Sequence, residues 1–583
     1  MAMTAMWGRS RRPGATIQKA ADTLAPGDTV LVRGGVYEES VTVRVSGSSA
    51  GGYVTFRNYQ QERPIVDGSN LDPADDDNGM FLLVDESYIR IEGFEIRNYS
   101  TSTRDVIPVG IHVRGRAHHT HLKSNDIHHI ATFAAVDDEL QGADAHGIAI
   151  YGTADESIHE VLIEDNDLHD LTLGSSEGLV VNGNVNGFTV RGNHLHGLDN
   201  IGIDIIGFEG IAPTPELDQA RAGVISDNLV HDITSFGNPA YGEEVAAGGI
   251  YVDGGRDVIV ERNTVYQCDI GIELASEHEG RSTSNITLRN NFIYNNRTTG
   301  IAIGGYDRER GSTVGCVIVN NTLYHNDSLR DGNGELLIQF DTRNNVVENN
   351  ILFANDQGLL VANDYGENDG NRVDYNIYFA PSGDDSEWQW REDYYQGFAT
   401  YALATGNDSN SFFVDPGFVD LELPDLHLGM GSAAADRGEL LAQVGDTDID
   451  GEGRLQGDGI DLGADEIPAD EPSEDDDSIT DVSELASAGT PDSFALHANY
   501  PNPFNSGTVI RLDLPGDEAV ELTVYDLAGQ AVVTLLNGWR PSGTHVVHWD
   551  GRDASGRELA SGVYVYRLRA GERAGQRKLL LLR

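Results

Sequence analysis

Three carboxylate residues occupy related positions in successive copies of a short repeat. The repeat reads Gly-(Ile/Leu)-x-(Ile/Val); Asp204 and Glu273 stand at its third position, and Asp253 directly follows the copy between them. Crowded carboxylates raise one another's pKa, which allows one of them to act as a general acid near neutral pH. Pairs of carboxyl groups roughly 5–10 Å apart cleave glycosidic bonds. The spacing therefore predicts a catalytic group made of these three residues.

Residues in the neighbouring repeats and turns carry groups that bind sugars or transfer protons. We expect them to form the substrate-binding part of the site. They are Asn182, Glu209, Tyr241, Tyr251, Glu277, His278, Tyr306 and Asp307.

Other chemistries remain open for the same residues. Elimination at a uronate needs a base, commonly Lys or Arg, and the three lysines of the chain (Lys19, Lys123 and Lys578) fall away from the carboxylates. Arg114, or Tyr251 with His278, is an alternative base for a lyase or a C5-epimerase. Hydrolysis requires no cofactor, whereas in a lyase the acids would hold Ca²⁺, which prefers oxygen ligands. A protein without catalytic activity, an adhesin or a glycan-binding protein, is the alternative outside the enzymes. The sequence does not assign a set of metal ligands.

The repeat itself predicts the fold. Copies of the Gly motif start at Gly110, Gly147, Gly178, Gly202, Gly249, Gly271, Gly300 and Gly358. An Asn followed at +2 by an apolar residue recurs every 26 to 41 residues, at Asn125, Asn166, Asn193, Asn228, Asn263, Asn291, Asn321, Asn350 and Asn376. Each period holds three short strands with alternating apolar residues. Three strands per coil predict a right-handed parallel β-helix whose Asn side chains bond from coil to coil.

The alternation also predicts which side chains point outward. In the Gly motif the two apolar residues face the core, so the third residue faces out. The resulting outward column reads His112, Ala149, Val180, Asp204, Tyr251, Glu273 and Ala302.

The ends of the repeat region have their own signals. Thr16 is placed to cap a short amphipathic helix over 17–24 that covers the first coil. After Asn376 the pattern decays into a loop rich in Trp and Tyr, and the domain is expected to end near 467. Residues 1–14 are expected to be disordered. Cys268 and Cys316 lie two coils apart, too far for a disulfide, and are predicted to be buried free thiols.

The chain changes composition after residue 467. Residues 468–490 hold eight acidic residues and no basic one, which predicts a disordered linker. Residues 491–583 carry ten acidic and ten basic residues and read as short alternating strands with Gly turns. We expect a small immunoglobulin-like β-sandwich there, and so an all-β chain of two domains, 15–467 and 491–583.

Charge limits the partners of the protein. The chain has 39 Lys and Arg against 94 Asp and Glu, a formal net charge of −55. Nucleic acid and anionic membrane surfaces are therefore disfavoured, and no apolar run reaches the ~20 residues of a membrane span. A charge-neutral polysaccharide is the partner that best suits so acidic a surface.

Residues 15–467 resemble the pectate-lyase-like right-handed β-helix superfamily. The resemblance rests on Thr16-Ile17-Gln18 through Pro26-Gly27-Asp28-Thr29 to Gly35-Val36-Tyr37, and on Asp448-Ile449-Asp450-Gly451 with Arg454 and Asp461-Leu462-Gly463-Ala464. It implies the fold strongly and a polysaccharide substrate more weakly.

Residues 491–583 resemble the C-terminal sorting domain of type IX secretion, which is similar to the immunoglobulin-like domain of flagellar hook-capping proteins. The matching residues are Asn499 to Asn505, Tyr525-Asp526 with Gly529, Trp549-Asp550-Gly551 with Gly556, and Ser561 to Tyr564. The resemblance implies recognition by type IX machinery and a secreted or cell-surface location. The basic start, MAMTAMWGRSRRPG, lacks the apolar core of a signal peptide, so a truncated start is expected. We expect a monomer.

Overall fold

The computed structural model describes residues 16–73, 78–136, 142–421, 425–468 and parts of 494–581. The predicted disordered N-terminus, 1–14, and all of the predicted linker but Pro468 lie outside these residues. None of the helices within them has the length and apolar character that crossing a membrane requires. The chain divides into two compact units, which are described separately.

The first unit is a right-handed parallel β-helix built from three long sheets, as predicted. The first sheet contains Thr29–Val32, Val54–Asn58, Ile89–Glu92, His118–Lys123, His159–Glu164, Asn186–Arg191, Arg221–Ser226, Ile259–Glu261, Thr287–Arg289, Val317–Val319, Val346–Glu348 and Arg372–Asp374. The second contains Gly35–Tyr37, Pro64–Asp67, Glu95–Thr101, Asp126–Thr132, Asp167–Leu171, His194–Leu198, Leu229–Ile233, Thr264–Tyr266, Phe292–Tyr294, Thr322–Tyr324, Ile351–Phe353, Ile377–Phe379 and Phe412–Phe413. The third contains Val41–Val43, Phe81–Val84, Val109–Arg114, His146–Gly152, Leu179–Gly183, Ile203–Ile206, Gly248–Asp253, Ile270–Ala275, Thr299–Ile303, Leu336–Ile338, Leu359–Asn363, Glu387–Trp390 and Asp393–Gln396.

Smaller elements complete this unit. A short parallel sheet lies in the turns that follow the third sheet, and a two-stranded sheet lies in the closing segment. Their strands are Ser282–Ser284, Ser312–Val314 and Thr342–Arg343, then Phe418–Asp420 and Asp425–Leu428. The helices are Ile17–Ala21, Phe398–Thr405 and a 3₁₀ turn at Gly383–Asp385.

The predicted asparagine ladder is present along the coils. All nine repeat asparagines are buried. The Nδ2 of each, from Asn125 to Asn350, donates to the Oδ1 of the next at 2.9–3.2 Å. Because buried amides must be paired, each rung holds its coil in register with the next. The two cysteines are buried and free, as predicted.

The two ends of the β-helix differ from the sequence prediction in detail. Thr16 caps the first helix through its side chain, which accepts from the Lys19 N–H. This helix stops at Ala21 rather than Leu24; beyond it the N–H groups of Thr23 and Leu24 bond to the carbonyls three residues back, as in a tightened last turn. At the other end the predicted loop is a hairpin, Glu387–Trp390 with Asp393–Gln396, followed by the helix Phe398–Thr405. Trp388 is buried there and stacks on Tyr401 at 5.5 Å, so these aromatic residues cover the last coil.

The closing segment docks on asparagines next to the ladder. Asn290, Asn320 and Asn349 each precede a ladder residue, and their Nδ2 groups donate to the carbonyl oxygens of Thr447, Asp461 and Glu439 at 2.8–2.9 Å. These bonds fix residues 439–461 against the coils.

The second unit contains two antiparallel sheets, in agreement with the predicted sandwich. One has Ala495–Leu496, Thr508–Leu514 and Gly543–Trp549. The other has Ala531–Arg540, Glu518–Tyr525, Gly562–Ala570 and Arg573–Leu581. A common apolar core includes Ile510, Leu522, Trp549 and Tyr566.

Removing one rung should weaken the whole β-helix. In Asn228→Ala, the carbonyl of Val190 loses the Nδ2 donor, and the backbone N–H of Asn193 loses its acceptor, the Oδ1 of Asn228. A buried group left unpaired costs about 1–3 kcal/mol, so we expect the free energy of unfolding to fall by about 3 kcal/mol in a urea titration. The exposed Asn186→Ala is the matched control and should change it by less than about 0.5 kcal/mol. Equal losses in both variants would show that the ladder does not carry this stability.

Candidate functional site

The carboxylates lie on the third sheet in the register that the repeat predicts. Asp204 stands beside Tyr251, and Tyr251 stands beside Glu273 on the next coil. The same column runs back through Val180, Ala149 and His112. Asp253 lies two residues after Tyr251, beside Ala275. The three acids thus occupy three consecutive strands of one sheet face.

These acids are not solvated, although they lie on the outer face of the sheet. Asp204 is 2% exposed, Asp253 4% and Glu273 7%. Among the described residues, the Oδ1 atoms of Asp204 and Asn182 are buried without a hydrogen-bond partner. Alternation predicts only which face a side chain occupies; here the connections between strands build over that face and remove it from water.

Two connections bring acidic and basic groups onto Asp253. The Oδ1 of Asp253 accepts from the backbone N–H of Glu277 at 2.8 Å. His278 Nε2 lies 2.9 Å from Glu209 Oε1. One ligand atom from each of Glu209, Asp253 and His278 lies within 4.8 Å of the other two. Asp218 shapes the first connection, because its carboxylate accepts from the N–H groups of Gly210 and Ala212.

Burial and mutual repulsion keep protons on the buried acids. Burial raises the pKa of Asp204 well above its ordinary value, and the charges of Glu177 and Asp253 add to the effect. The pKa of Asp253 is also raised well above its ordinary value, first by burial and then by the charge of Glu277. For Glu273, burial and the charge of Glu277 raise the pKa to about 8. Each of these carboxyl groups is therefore suited to hold a proton at neutral pH.

Cations lie on the accessible side of the same group. Burial and Glu209 raise the pKa of Glu277, but Arg310 and His278 act in the opposite direction. The pKa of His278 is itself raised by its hydrogen bond to Glu209. Glu209 and Glu277 are exposed, so two further carboxyl groups face the entrance and the buried acids lie beneath them.

Two predicted residues lie at the margin of this group. Tyr306 is exposed, and the guanidinium of Arg310 stands over its ring at 4.6 Å. Asp307 instead shapes its own turn, since its Oδ1 accepts from the Glu309 N–H.

Tyr241 lies close enough to the acids to feel their charge. Burial and the charges of Glu277 and Glu177 raise the pKa of its hydroxyl to about 12.

Sequence reasoning missed a second part of the site, made of His146, Tyr151 and Glu177. His146 Nδ1 lies 2.9 Å from the Glu177 carbonyl oxygen, so this nitrogen donates. The other nitrogen, Nε2, then accepts from the Tyr151 hydroxyl at 2.8 Å. Burial lowers the pKa of His146 to about 4, which keeps the ring neutral. Burial also raises the pKa of Tyr151, and the nearby charges of Glu177, Glu209 and Asp204 link it to the carboxylates.

A signal for these missed residues was present in the repeat. His146 and Glu177 each directly precede the Gly of a Gly-(Ile/Leu)-x-(Ile/Val) copy. Strict alternation would turn that position towards the apolar core, because it lies three residues before the outward-facing third residue of the motif. A polar residue there departs from the pattern and was therefore the signal.

Family models agree with both units. The model "Pel9A-like, right handed beta helix region" matches residues 4–198, and "Right handed beta helix region" matches 109–328 and 243–387. The model "FlgD Ig-like domain" matches residues 501–573. The chain is thus a right-handed β-helix protein with a C-terminal Ig-like domain.

One related protein establishes the family to which this chain belongs. Over 427 residues, 73% of this chain, the sequence is 43% identical to the uncharacterized protein YwoF of Bacillus subtilis (strain 168), of which it covers 89%. The chain belongs to the same family as YwoF.

Two solved structures are similar to this chain at low sequence identity. Pectate lyase Pel9A is 14% identical with a TM-score of 0.39, over 78% of this chain and 91% of that one. The A-module of the mannuronan C-5 epimerase AlgE6 of Azotobacter vinelandii is 14% identical with a TM-score of 0.43, over 69% of this chain and 94% of that one. These likenesses concern the β-helix alone.

The raised pKa of Glu273 predicts how stability depends on pH. The folded protein keeps this proton up to about pH 8, whereas a carboxyl group at its model value of 4.5 loses it much earlier. The unfolded state therefore gains from ionisation first, so stability falls as pH rises from about 4.5 to 8. Glu273→Gln removes this contribution, and its melting temperature should fall less than that of wild type across this window.

Thermal unfolding at half-unit pH steps measures the difference between the two curves. Glu309→Gln changes an exposed residue in the same way and should give a curve parallel to wild type. If the Glu273→Gln curve is also parallel to wild type, Glu273 is not protonated in the folded protein.

Proposed function

We propose that the protein is an exported enzyme that acts on polysaccharides, and that the carboxylates of the third sheet hydrolyse a glycosidic bond. One observation carries the proposal: a buried acid that retains its proton, Asp253, lies next to an accessible carboxylate, Glu209. General-acid catalysis needs the first group, and attack or activation of water needs the second.

The distance between these two acids favours a retaining mechanism. Their nearest carboxylate oxygens lie within 4.8 Å of each other. Carboxyl groups about 5–5.5 Å apart form a covalent glycosyl intermediate, whereas about 6.5–9.5 Å leaves room for a water in an inverting enzyme. In this mechanism Asp253 protonates the departing oxygen and Glu209 attacks the anomeric carbon. Asp253 then takes a proton from the water that releases the sugar.

Neighbouring residues support both roles. The charges of Glu277, Glu209 and Glu273 favour the protonated form of Asp253. His278 donates to Glu209 and orients it towards Asp253. Asp204, Asn182 and Tyr251 lie beneath the site, where the Oδ1 atoms of Asp204 and Asn182 are buried without a hydrogen-bond partner among the residues that the structure describes.

A neutral glycan is the substrate class that fits the electrostatics. The chain has a net charge of −55, and an anionic polymer would meet a face already rich in carboxylates. Arg310 and His278 are cations at the entrance, but Glu277 and Glu209 lie next to them. This charge balance favours hydrolysis over uronate elimination.

A second candidate is elimination or C5-epimerisation at a uronate. The 2.8 Å hydrogen bond from Tyr151 to His146 favours it, because a neutral imidazole and a phenol form a proton-transfer pair. In that case Glu209 and Asp253 provide oxygen donors that suit Ca²⁺, which would neutralise the substrate carboxylate. A glycan-binding surface without catalysis is the remaining alternative.

A single assay separates these functions. The purified chain, with and without Ca²⁺, is incubated with neutral and uronate polysaccharides while reducing ends and ultraviolet absorbance are followed together. We expect reducing ends without absorbance on a neutral glycan. Asp253→Asn should lower that rate about 10²- to 10⁴-fold, the range for losing a general acid.

The control is Asp257→Asn, an exposed aspartate in a turn next to the first sheet, which should retain wild-type rates. Absorbance that rises with Ca²⁺ and is lost in Tyr151→Phe would replace the hydrolase with a lyase. Ca²⁺-dependent conversion of one uronate into its C5 epimer, without either signal, would indicate an epimerase. Retention on a glycan column with no product would leave a binding protein.

We also propose that residues 491–583 direct export through type IX machinery, which places the enzyme outside the cell or on its surface. The FlgD Ig-like match over 501–573 supports this assignment at the level of fold. The unit has its own apolar core of two sheets, as expected of a recognition domain that does not depend on the enzyme.

Transfer of this unit to a reporter tests its role. A fluorescent protein bearing a periplasmic signal peptide and residues 491–583 should leave cells of a type IX-secreting bacterium. The same reporter without those residues should stay in the periplasm. Equal retention of both proteins would contradict a sorting function.

A further inference from the structure

Histidines form a stack on the second sheet, on a different face from the carboxylate site. His128, His169, His196 and His231 occupy equivalent positions on four consecutive strands. Their ring centroids are 4.8, 5.2 and 5.3 Å apart. None of the roles proposed above uses these residues.

One point in the stack gathers three groups around a common centre. His194 and His196 lie two apart on one strand, so their side chains share a face. Asp167 stands beside His194 on the preceding coil. Its Oδ1 lies 3.3 Å from His194 Nδ1 and 3.4 Å from His196 Nε2.

These distances suit a metal better than direct hydrogen bonds. N–H···O bonds cluster near about 2.9–3.0 Å. Ligand atoms bonded at about 2.0–2.1 Å to a tetrahedral ion lie about 3.3–3.4 Å apart. We propose that Asp167, His194 and His196 bind a divalent transition-metal ion such as Zn²⁺.

The chemistry of the three groups selects the class of ion. Two imidazole nitrogens and one carboxylate oxygen are typical ligands for Zn²⁺ and its neighbours, with a fourth position left for water. Ca²⁺ and Mg²⁺ prefer oxygen alone. Burial lowers the pKa of His194, which favours the neutral form of the ring that binds metal ions. The three side chains are 20–42% exposed, whereas the Oδ1 of Asp167 is itself buried and has no hydrogen-bond partner within the described part of the chain.

The neighbouring group on the stack is less suitable, although it has the same composition. Asp126, His128 and His169 also bring ligand atoms within 4.8 Å of one another. However, Asp126 already pairs with Arg63. Hydrogen bonds to Asp126 and Asp170 raise the pKa of His169 to about 9, so a proton competes with any ion there.

A bound ion would join two coils. It would link the strand Asp167–Leu171 to His194–Leu198 and stabilise the folded state in proportion to its occupancy. The site thus adds a metal cross-link to the hydrogen-bonded ladder in the same part of the β-helix.

Calorimetry on the full chain tests the site with Zn²⁺ alone. We expect wild type to bind one more ion than His194→Gln/His196→Gln, and Zn²⁺ to raise the melting temperature of wild type only. The matched control is His121→Gln/His325→Gln, which removes two histidines outside every three-ligand group found in the described residues. This control should bind and melt like wild type.

A second variant guards against misfolding. Asp167→Asn leaves both histidines in place and should weaken Zn²⁺ binding at least tenfold while circular dichroism matches wild type. Co²⁺ bound to wild type should give the visible bands of a tetrahedral site, and these should be absent from both site variants. Unchanged Zn²⁺ stoichiometry and melting temperature in either site variant would overturn the proposal.

Discussion

The structure depends on one repeated interaction, the hydrogen bond from one buried asparagine amide to the next. Each rung forbids a slip between coils, because a shift of one residue would leave buried amides unpaired and turn every side chain to the other face. Strict register then stacks equivalent positions directly above one another on all three sheets. A residue type that recurs in the sequence therefore becomes a column in space, whether it is Asn in the core, His on the second sheet or acid on the third.

The same register creates the electrostatics of the candidate site. Parallel stacking places like residues side by side, where like charges repel. On the third sheet the repulsion is strengthened because Asp204, Asp253 and Glu273 are buried. A buried acid cannot spread its charge into solvent, so it keeps its proton. Glu209 and Glu277 reach water and have His278 and Arg310 beside them, so one small region holds both buried and accessible carboxyl groups.

Much of the fold could be predicted from the sequence, because every copy of the repeat indicates the same three-stranded coil. The spacing of the asparagines gave the coils, and the alternation in each Gly motif gave the column from His112 to Ala302. The covering of the last coil by Trp388 and Tyr401 did not follow, because it involves one non-repeated segment. The burial of Asp204 could not be predicted from the repeat either. Alternation assigns a side chain to a face of the sheet, but it does not predict whether other parts of the chain cover that face. His146 and Glu177 could have been found at the position before each repeat Gly, whereas the contact between His278 and Glu209 joins residues far apart in the chain.

Comparing the two polar faces explains why one favours chemistry on a substrate and the other favours a cation. On the second sheet, the carboxylate of Asp167 has two imidazole rings of the next coil, His194 and His196, as neighbours. On the third sheet the acids have mainly other acids as neighbours, and the charge is relieved by protons. A proton held only by such repulsion is readily donated to a leaving group. Stacking is common to both faces; the neighbouring groups determine whether a column is suited to a metal ion, as we propose for the second sheet, or to a transferable proton.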